Sequence, residues 1–281
     1  MMQIIDPHLH FFDLSLGQYH WLTQGSGPSW PNLDKIKQNH HYADLANTEF
    51  AVHSFLHIEA GFNNAEPSSE LEWLASSTPE HIPFKAISYI QIDSEPDTFE
   101  KQLTELLAAP NFIGIRDITE GQEYLRLLSD NTKTNLNTLA EHGLIFEAQF
   151  ELYHLEAVKK LIETAKLSPN LKIVLNHAGF IDNQHDYTTA LLLLGELNNI
   201  YIKFSGQEHC ANALEPAAKL QLLLEYFGED RVMFASNYPV CLMRESYLKV
   251  WQGYKQLVND SALWHKLSFA NAQRCYFDWP S

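Results

Sequence analysis

Apolar positions along the chain fall into two kinds of short run that take turns. Runs rich in β-branched and aromatic residues predict strands at Ile4–Ile5, Glu49–Ile58, Phe84–Ile92, Phe112–Ile118, Leu144–Phe150, Leu171–Leu175, Ile200–Phe204 and Arg231–Ala235. Between them, apolar residues recur at helical spacing, as with Phe99, Leu103, Leu106 and Leu107, or Leu155, Val158, Leu161 and Ile162. Helices are predicted around Leu33–Leu45, Leu71–Ser76, Thr98–Ala108, Glu123–His142, His154–Ala165, Ala190–Leu197 and Leu214–Phe227, the last closed by Gly228. Two more, Glu245–Val258 and Ser261–Tyr276, end the chain. One stretch breaks the rhythm: Tyr19-His20-Trp21 and Gly25-Ser26-Gly27-Pro28-Ser29-Trp30-Pro31 read as a long irregular loop, of the sort that covers or shapes a site.

Strand and helix alternating about eight times is the signature of parallel strands joined by crossover helices. A chain of 281 residues with no linker or low-complexity run suits a single α/β domain spanning 1–281, a (β/α)8 TIM barrel. The rival, a doubly wound open sheet, lacks its glycine-rich fingerprint after the first strand, and no phosphate-binding loop occurs. Apolar residues at 45% are ample for a large core.

Charge narrows the partners. A net charge of −16, with only 19 Lys and Arg spread along the chain, argues against nucleic acid and anionic membranes and leaves a small molecule in a cleft. Cys210, Cys241 and Cys275 are too few and too far apart for a disulfide framework or zinc ribbon, and read as buried thiols in a reducing compartment. With a strand almost at the start and no apolar run long enough to span a bilayer, a soluble cytoplasmic protein is expected.

A barrel gathers the carboxyl ends of its strands on one face, where active sites are built. The polar residues at those ends are His8 and His10, Glu59, Asp93, Arg116, Gln149, His177, Lys203 or Ser205, and Asn237. Singly, each has a structural explanation: Asp93 and Arg116 as an ion pair, Lys203 as a snorkelling strand end, His177 as a core histidine. Together they define one mouth. In an extended chain His8 and His10 project to the same side, so both imidazoles can address a divalent metal or a substrate oxygen. His40, His41, His53, His81, His142, His185 and His265 carry no usable spacing and read as structural or solvated.

Several of these segments resemble the amidohydrolase superfamily: Ile5-Asp6-Pro7-His8-Leu9-His10 followed by Tyr19-His20-Trp21, His57-Ile58-Glu59-Ala60, Gly114-Ile115-Arg116, Asn176-His177-Ala178-Gly179, Lys203-Phe204-Ser205-Gly206, Ser236-Asn237-Tyr238-Pro239-Val240, and Phe269-Ala270-Asn271-Ala272 with Tyr276. The match covers nearly the whole chain in order. It is similar to the sugar-lactone branch that includes fuconolactonase and rhamnonolactonase, with 2-pyrone-4,6-dicarboxylate lactonase more distant. The resemblance implies a barrel that opens a cyclic ester with water, with or without one divalent metal, zinc foremost. It implies that His8 and His10 polarise the carbonyl or hold the metal with His177, which contacts the reacting oxygen. Arg116 would hold a substrate carboxylate or hydroxyl, Glu59 and Lys203 would be further substrate-side groups, and Tyr19, Trp21 and Trp30 would line or cover the pocket.

Two motifs depart from the family pattern. Where the family usually has Ser-Asp-Trp-Pro-Val, this chain has Asn237, which orients water but cannot take its proton. Where the family has Asp-His-Leu-Gly-Lys-Pro, it has Asn176-His177-Ala178-Gly179-Phe180-Ile181. Losing the aspartate removes an anionic metal ligand as well as the base, so weak metal occupancy or none is expected. Three readings follow: a hydrolase in which a histidine or Glu59 serves as base, a metal-dependent decarboxylase like other superfamily members, or a ligand-binding relative that has lost its chemistry.

Overall fold

The computed structural model describes residues 1–22, 28–180, 185–207 and 214–278. Cys210, Ile181 and the Gly25-Ser26-Gly27 part of the predicted loop lie outside them. Eight parallel strands run in sequence order, each hydrogen-bonded to the next: β1 Met2–Leu9, β2 Phe50–Ile58, β3 Phe84–Tyr89, β4 Phe112–Ile118, β5 Ile145–Gln149, β6 Lys172–Leu175, β7 Ile200–Phe204 and β8 Val232–Phe234. The last and first meet where a parallel bridge joins Leu9, at the end of β1, to Tyr238, just past β8. This is the expected (β/α)8 barrel.

The crossovers are α1 Ser68–Ser77, α2 Pro96–Leu106, α3 Asp130–Glu141, α4 Leu155–Leu167, α5 His185–Gly195, α6 Pro216–Phe227 and α7 Tyr247–Leu257. Local chemistry sets their ends. Pro96 and Pro216 open α2 and α6, where a missing N–H costs nothing; Ser129 and Ser246 cap α3 and α7 with their side chains. Gly228 ends α6 with φ 69°, a conformation that would strain other residues. Apolar faces pack inward as the periodicity predicts: Phe99, Leu103 and Leu106 of α2 are buried.

Two predicted helices break up. Leu33–Leu45 becomes two short 3-10 turns, Leu33–Ile36 and Tyr42–Leu45, because the chain between them pairs with the loop after β1 through a bridge between His40 and Phe12. The first part of Glu123–His142 is a 3-10 segment, Gly121–Leu128, held by Arg126 before α3 begins.

Inside the barrel, Ile5, Leu56, Ile58, Ile87, Ile145, Val174 and Met233 form a core closed off at the base by Ala272, Cys275 and Tyr276. The closing segment begins as α8, Ser261–His265, and continues through π-helical turns at Lys266–Ala270 and Gln273–Phe277. Lys172 ties it down by donating to the Cys275 carbonyl at 2.8 Å. Cys241 and Cys275 are both buried. No described helix is long and apolar enough to cross a membrane.

Candidate active site

The seam between β1 and the chain after β8 builds the centre of the face at the carboxyl ends of the strands. Asn237 N–H donates to the His8 carbonyl at 2.9 Å, and His10 N–H donates to the Tyr238 carbonyl at 2.6 Å. Buried Asp6 accepts from the backbone of Ser236 at 3.1 Å and of His8 at 3.3 Å. The first strand and the eighth-strand motif are thereby locked in register. His8, His10, His177 and Asn237 converge as expected: the His8 ring lies 5.0 Å from that of His10 and 4.6 Å from that of His177, and the Asn237 side chain is 3.3 Å from His10 Nε2.

Backbone conformation brings two of these side chains in. His177 (φ 53°) and Asn237 (φ 58°) both adopt the left-handed region, which turns the chain sharply at the strand end. Ser205 Oγ sits 3.0 Å from His177 Nδ1. Gly206, at φ 71°, leaves the space the ring needs: a Cβ there would lie 2.6 Å from His177 Cβ.

His10 has its tautomer set by the fold. Its Nδ1 lies 2.8 Å from the Ile58 carbonyl, which can only accept, so the proton resides on Nδ1 and Nε2 presents a lone pair. The structure places Asn237 Oδ1 at this nitrogen, and with Nδ1 holding the proton the amide must turn to bring its NH2 there. Burial, and then the nearby charge of Arg116, hold His10 well below the ordinary imidazole range and keep it neutral.

A cavity of about 510 Å³ opens above this cluster and is lined by His10, His177, Asn237, Glu59, Arg116, Trp21 and Trp30 among others. Arg116 is committed to the protein itself: Nε donates to Glu59 Oε1 at 2.8 Å, Nη2 to the Glu59 carbonyl at 2.8 Å, and Nη1 to Gln149 at 2.8 Å. Burial pushes the Glu59 carboxyl up to about 7, against the pull of Arg116. Asp93 pairs with Arg126 at 3.7 Å and not with Arg116, which corrects the expected ion pair. Arg126 also binds Asp117, Glu123 and the Ile118 carbonyl. Trp21 is oriented by its indole N–H, which donates to the Ala60 carbonyl at 2.7 Å, and lies 6.1 Å from the Trp30 ring.

Two expected substrate-side groups are elsewhere. Tyr19 is buried away from the cavity, between Phe12 and Phe62, with its hydroxyl accepting from Asp13 N–H at 3.0 Å. Lys203 points inward from β7, fully buried, and pairs with Glu147 at 2.7 Å beneath His8. His8 too is fully buried, forming the layer under the cavity. Arg126, Asp117, Glu120 and the His57–Glu70 pair (2.8 Å), which holds the Ala60 turn, were not singled out from sequence. Arg126 follows its strand in a 3-10 segment, and periodicity does not reveal that it folds back onto the mouth.

The sequence profile described as Amidohydrolase matches residues 5–277. The chain belongs to the amidohydrolase family. An uncharacterised protein, y4mH, of Sinorhizobium fredii is 28% identical over 93% of this chain and 95% of its own length. L-rhamnono-gamma-lactonase of Scheffersomyces stipitis is 23% identical over 58% of each chain. Among solved structures, an amidohydrolase of Burkholderia multivorans with bound zinc superposes with a TM-score of 0.77 at 19% identity, covering 98% of this chain and 99% of that one.

In this amidohydrolase the side chains do not suit a bound metal. Among the described residues, no three His, Cys, Asp or Glu side chains are grouped to hold one ion, the His8, His10 and His177 set included. Asn237 contributes an amide where an anionic donor is missing. A metal-bound imidazole is normally backed by an acceptor on its other nitrogen. His10 has such an acceptor in Ile58, but His8 Nδ1 faces Lys203 Nζ at 3.4 Å.

Proposed function

We propose that this amidohydrolase opens a small, hydroxyl-rich lactone, of the sugar-lactone class, by metal-free attack of water. The observation that carries this reading is the neutral His10, whose outward lone pair meets the Asn237 amide at the floor of the cavity. Water held between them donates its proton to His10 Nε2 as its oxygen bonds to the lactone carbonyl carbon. His10 then returns that proton to the ring oxygen as the carbon–oxygen bond breaks, and the hydroxy acid leaves. His177, steadied by Ser205, faces the same point and contacts the reacting oxygen. An imidazole held far below its ordinary range is a weak base, adequate for an ester with a good leaving group and poor for an amide.

The substrate class follows from the cavity's charges. Arg116 and Arg126 are each engaged by the protein's own carboxylates, so a carboxylated ring meets no uncommitted guanidinium among the described residues. Glu59 and Gln149 offer hydrogen-bonding partners for hydroxyls, and the Trp21 and Trp30 faces suit the C–H surface of a sugar ring. The lactonase named above supports the same class by its likeness. These features take Arg116 from the role of carboxylate anchor to that of a strut for Glu59.

Proton release from a panel of aldono-lactones, with aromatic carboxylic acids in parallel and carbon dioxide recorded, tests the reading. Acid without gas from the lactones is expected. Gas from the aromatic acids, or no acid from any lactone, overturns it. Asn237→Asp supplies a stronger base beside His10 and is expected to raise kcat at least tenfold.

A further inference from the structure

The proposed reaction occupies one side of the mouth. His10, His177 and Asn237 stand just past β1, β6 and β8, and in a ring of eight strands in sequence order β3 and β4 lie across from that group. The cavity reaches them: Tyr89, the last residue of β3, and Ile118, the last of β4, both line it. Tyr89 pairs in register with Arg116, so the two stand side by side at one level. Ile118 projects to the same side as Arg116 two residues further along β4, about 6.6 Å nearer the rim. It is 42% exposed, and Arg126 fixes its backbone by donating to its carbonyl at 2.8 Å. The Tyr89 hydroxyl makes no hydrogen bond among the described residues, and burial pushes its phenol up, so it stands as a donor. Asn64, from the turn after β2, adds an exposed amide to this far wall. The lactone of a single sugar has about a dozen heavy atoms, whereas a cavity of about 510 Å³ is of the size that takes a ligand about twice as large. With its carbonyl at His10, such a ring leaves the far wall to water.

We infer that the β3 and β4 side of the mouth is a second subsite, which takes a neutral glycosyl unit carried by the lactone, so that the substrate is the lactone of an oxidised disaccharide. The C–H face of the outer sugar rests on Ile118, Tyr89 donates to one of its hydroxyls, and the Asn64 amide meets its edge. Neutrality follows from the surroundings. Arg126, the cation of this wall, is held by Asp117 and by Glu123 at 2.8 Å, with Asp93 at 3.7 Å, so an acidic outer group would face three carboxylates and no uncommitted cation among the described residues. An aryl group would cover Ile118 but strand the Tyr89 donor against carbon, a loss that a sugar hydroxyl avoids. Binding energy gained this far from the carbonyl can be spent on holding the inner ring over His10. The inference rests on the lactonase reading for the chemistry of the inner ring and deepens it by naming what that ring carries.

The test compares initial rates of acid release from cellobionolactone, maltobionolactone and melibionolactone with the rate from gluconolactone, each corrected for spontaneous opening. At least one of the three is expected to show a kcat/KM tenfold or more above that of gluconolactone. The double variant Tyr89→Phe/Ile118→Ser is expected to cut that ratio at least fivefold; damage to the fold alone lowers both rates together and leaves the ratio where it was. Titration calorimetry with gluconolactam and its glycosylated counterparts, whose amides resist opening, is expected to show the same preference in Kd. Gluconolactone opened with none of the three reaching tenfold above it defeats the subsite and leaves the lactonase reading standing. A ratio unmoved in the double variant overturns the placing of the outer sugar on Tyr89 and Ile118. If no lactone is opened, a glycosylated lactam bound at least tenfold more tightly than gluconolactam upholds the subsite and defeats that reading, and equal binding defeats both.

Discussion

Glu59 and Gly206 show how much of the site depends on single atoms. The Glu59 carboxyl rises on folding from 4.5 to about 7, so the native state keeps a proton that the unfolded chain has lost. Its stabilising contribution is therefore complete below about pH 4.5 and disappears as pH climbs through 7, a span worth at most roughly 3 kcal/mol. Urea midpoints of Glu59→Gln should decline less steeply than those of wild type between pH 5 and 7.5; parallel curves would contradict the assignment. At Gly206, a methyl group meets His177 at 2.6 Å on a backbone with positive φ. Gly206→Ala should lose about 1–3 kcal/mol of stability and most of its turnover, read by denaturation and initial rates together. Residue by residue, the site was partly legible. His8, His10, His177, Arg116, Glu59 and Asn237 stand at strand ends, and the fold carries strand ends to one face. Strand periodicity places a side chain inside the barrel but not at a given height, so Lys203 read as a mouth residue when it lies under the floor.

At the scale of elements, eight strands and their crossover helices were visible because apolar period and turn residues agree with one another. The failures share a cause. Leu33–Leu45 and Gly121–Leu128 have helical spacing, yet tertiary partners, the Phe12 backbone in one case and the Asp117–Arg126 pair in the other, hold the chain in shorter turns. The terminal segment read simply as helix; its π turns and its place under the barrel follow from contacts distant in sequence. That segment reaches the site through one hydroxyl. Tyr276→Phe deletes a 2.6 Å bond to the buried Glu147 carboxyl and should cost about 1–3 kcal/mol, measured as a lower urea midpoint at unchanged slope. A midpoint equal to wild type would show that Glu147 finds another donor.

For the molecule as a whole, the decisive contact is the seam at which the barrel meets itself. Asp6 spans it, and burial pushes its carboxyl up to about 6. Asp6→Ala strands two buried N–H groups and should cost on the order of 3 kcal/mol, whereas Asp6→Asn keeps the acceptor and should fall within about 1 kcal/mol of wild type at pH 8. Equal losses in the two variants would mean that charge, and not the acceptor, holds the barrel shut. The same seam has a consequence for biogenesis. His8 is made before Asn237, so a nascent polypeptide still on the ribosome has no complete centre until the stretch after β8 has emerged and docked. Two fragments severed between α4 and β6 would be inert apart and regain turnover only on reassociating, which makes activity itself a gauge of assembly.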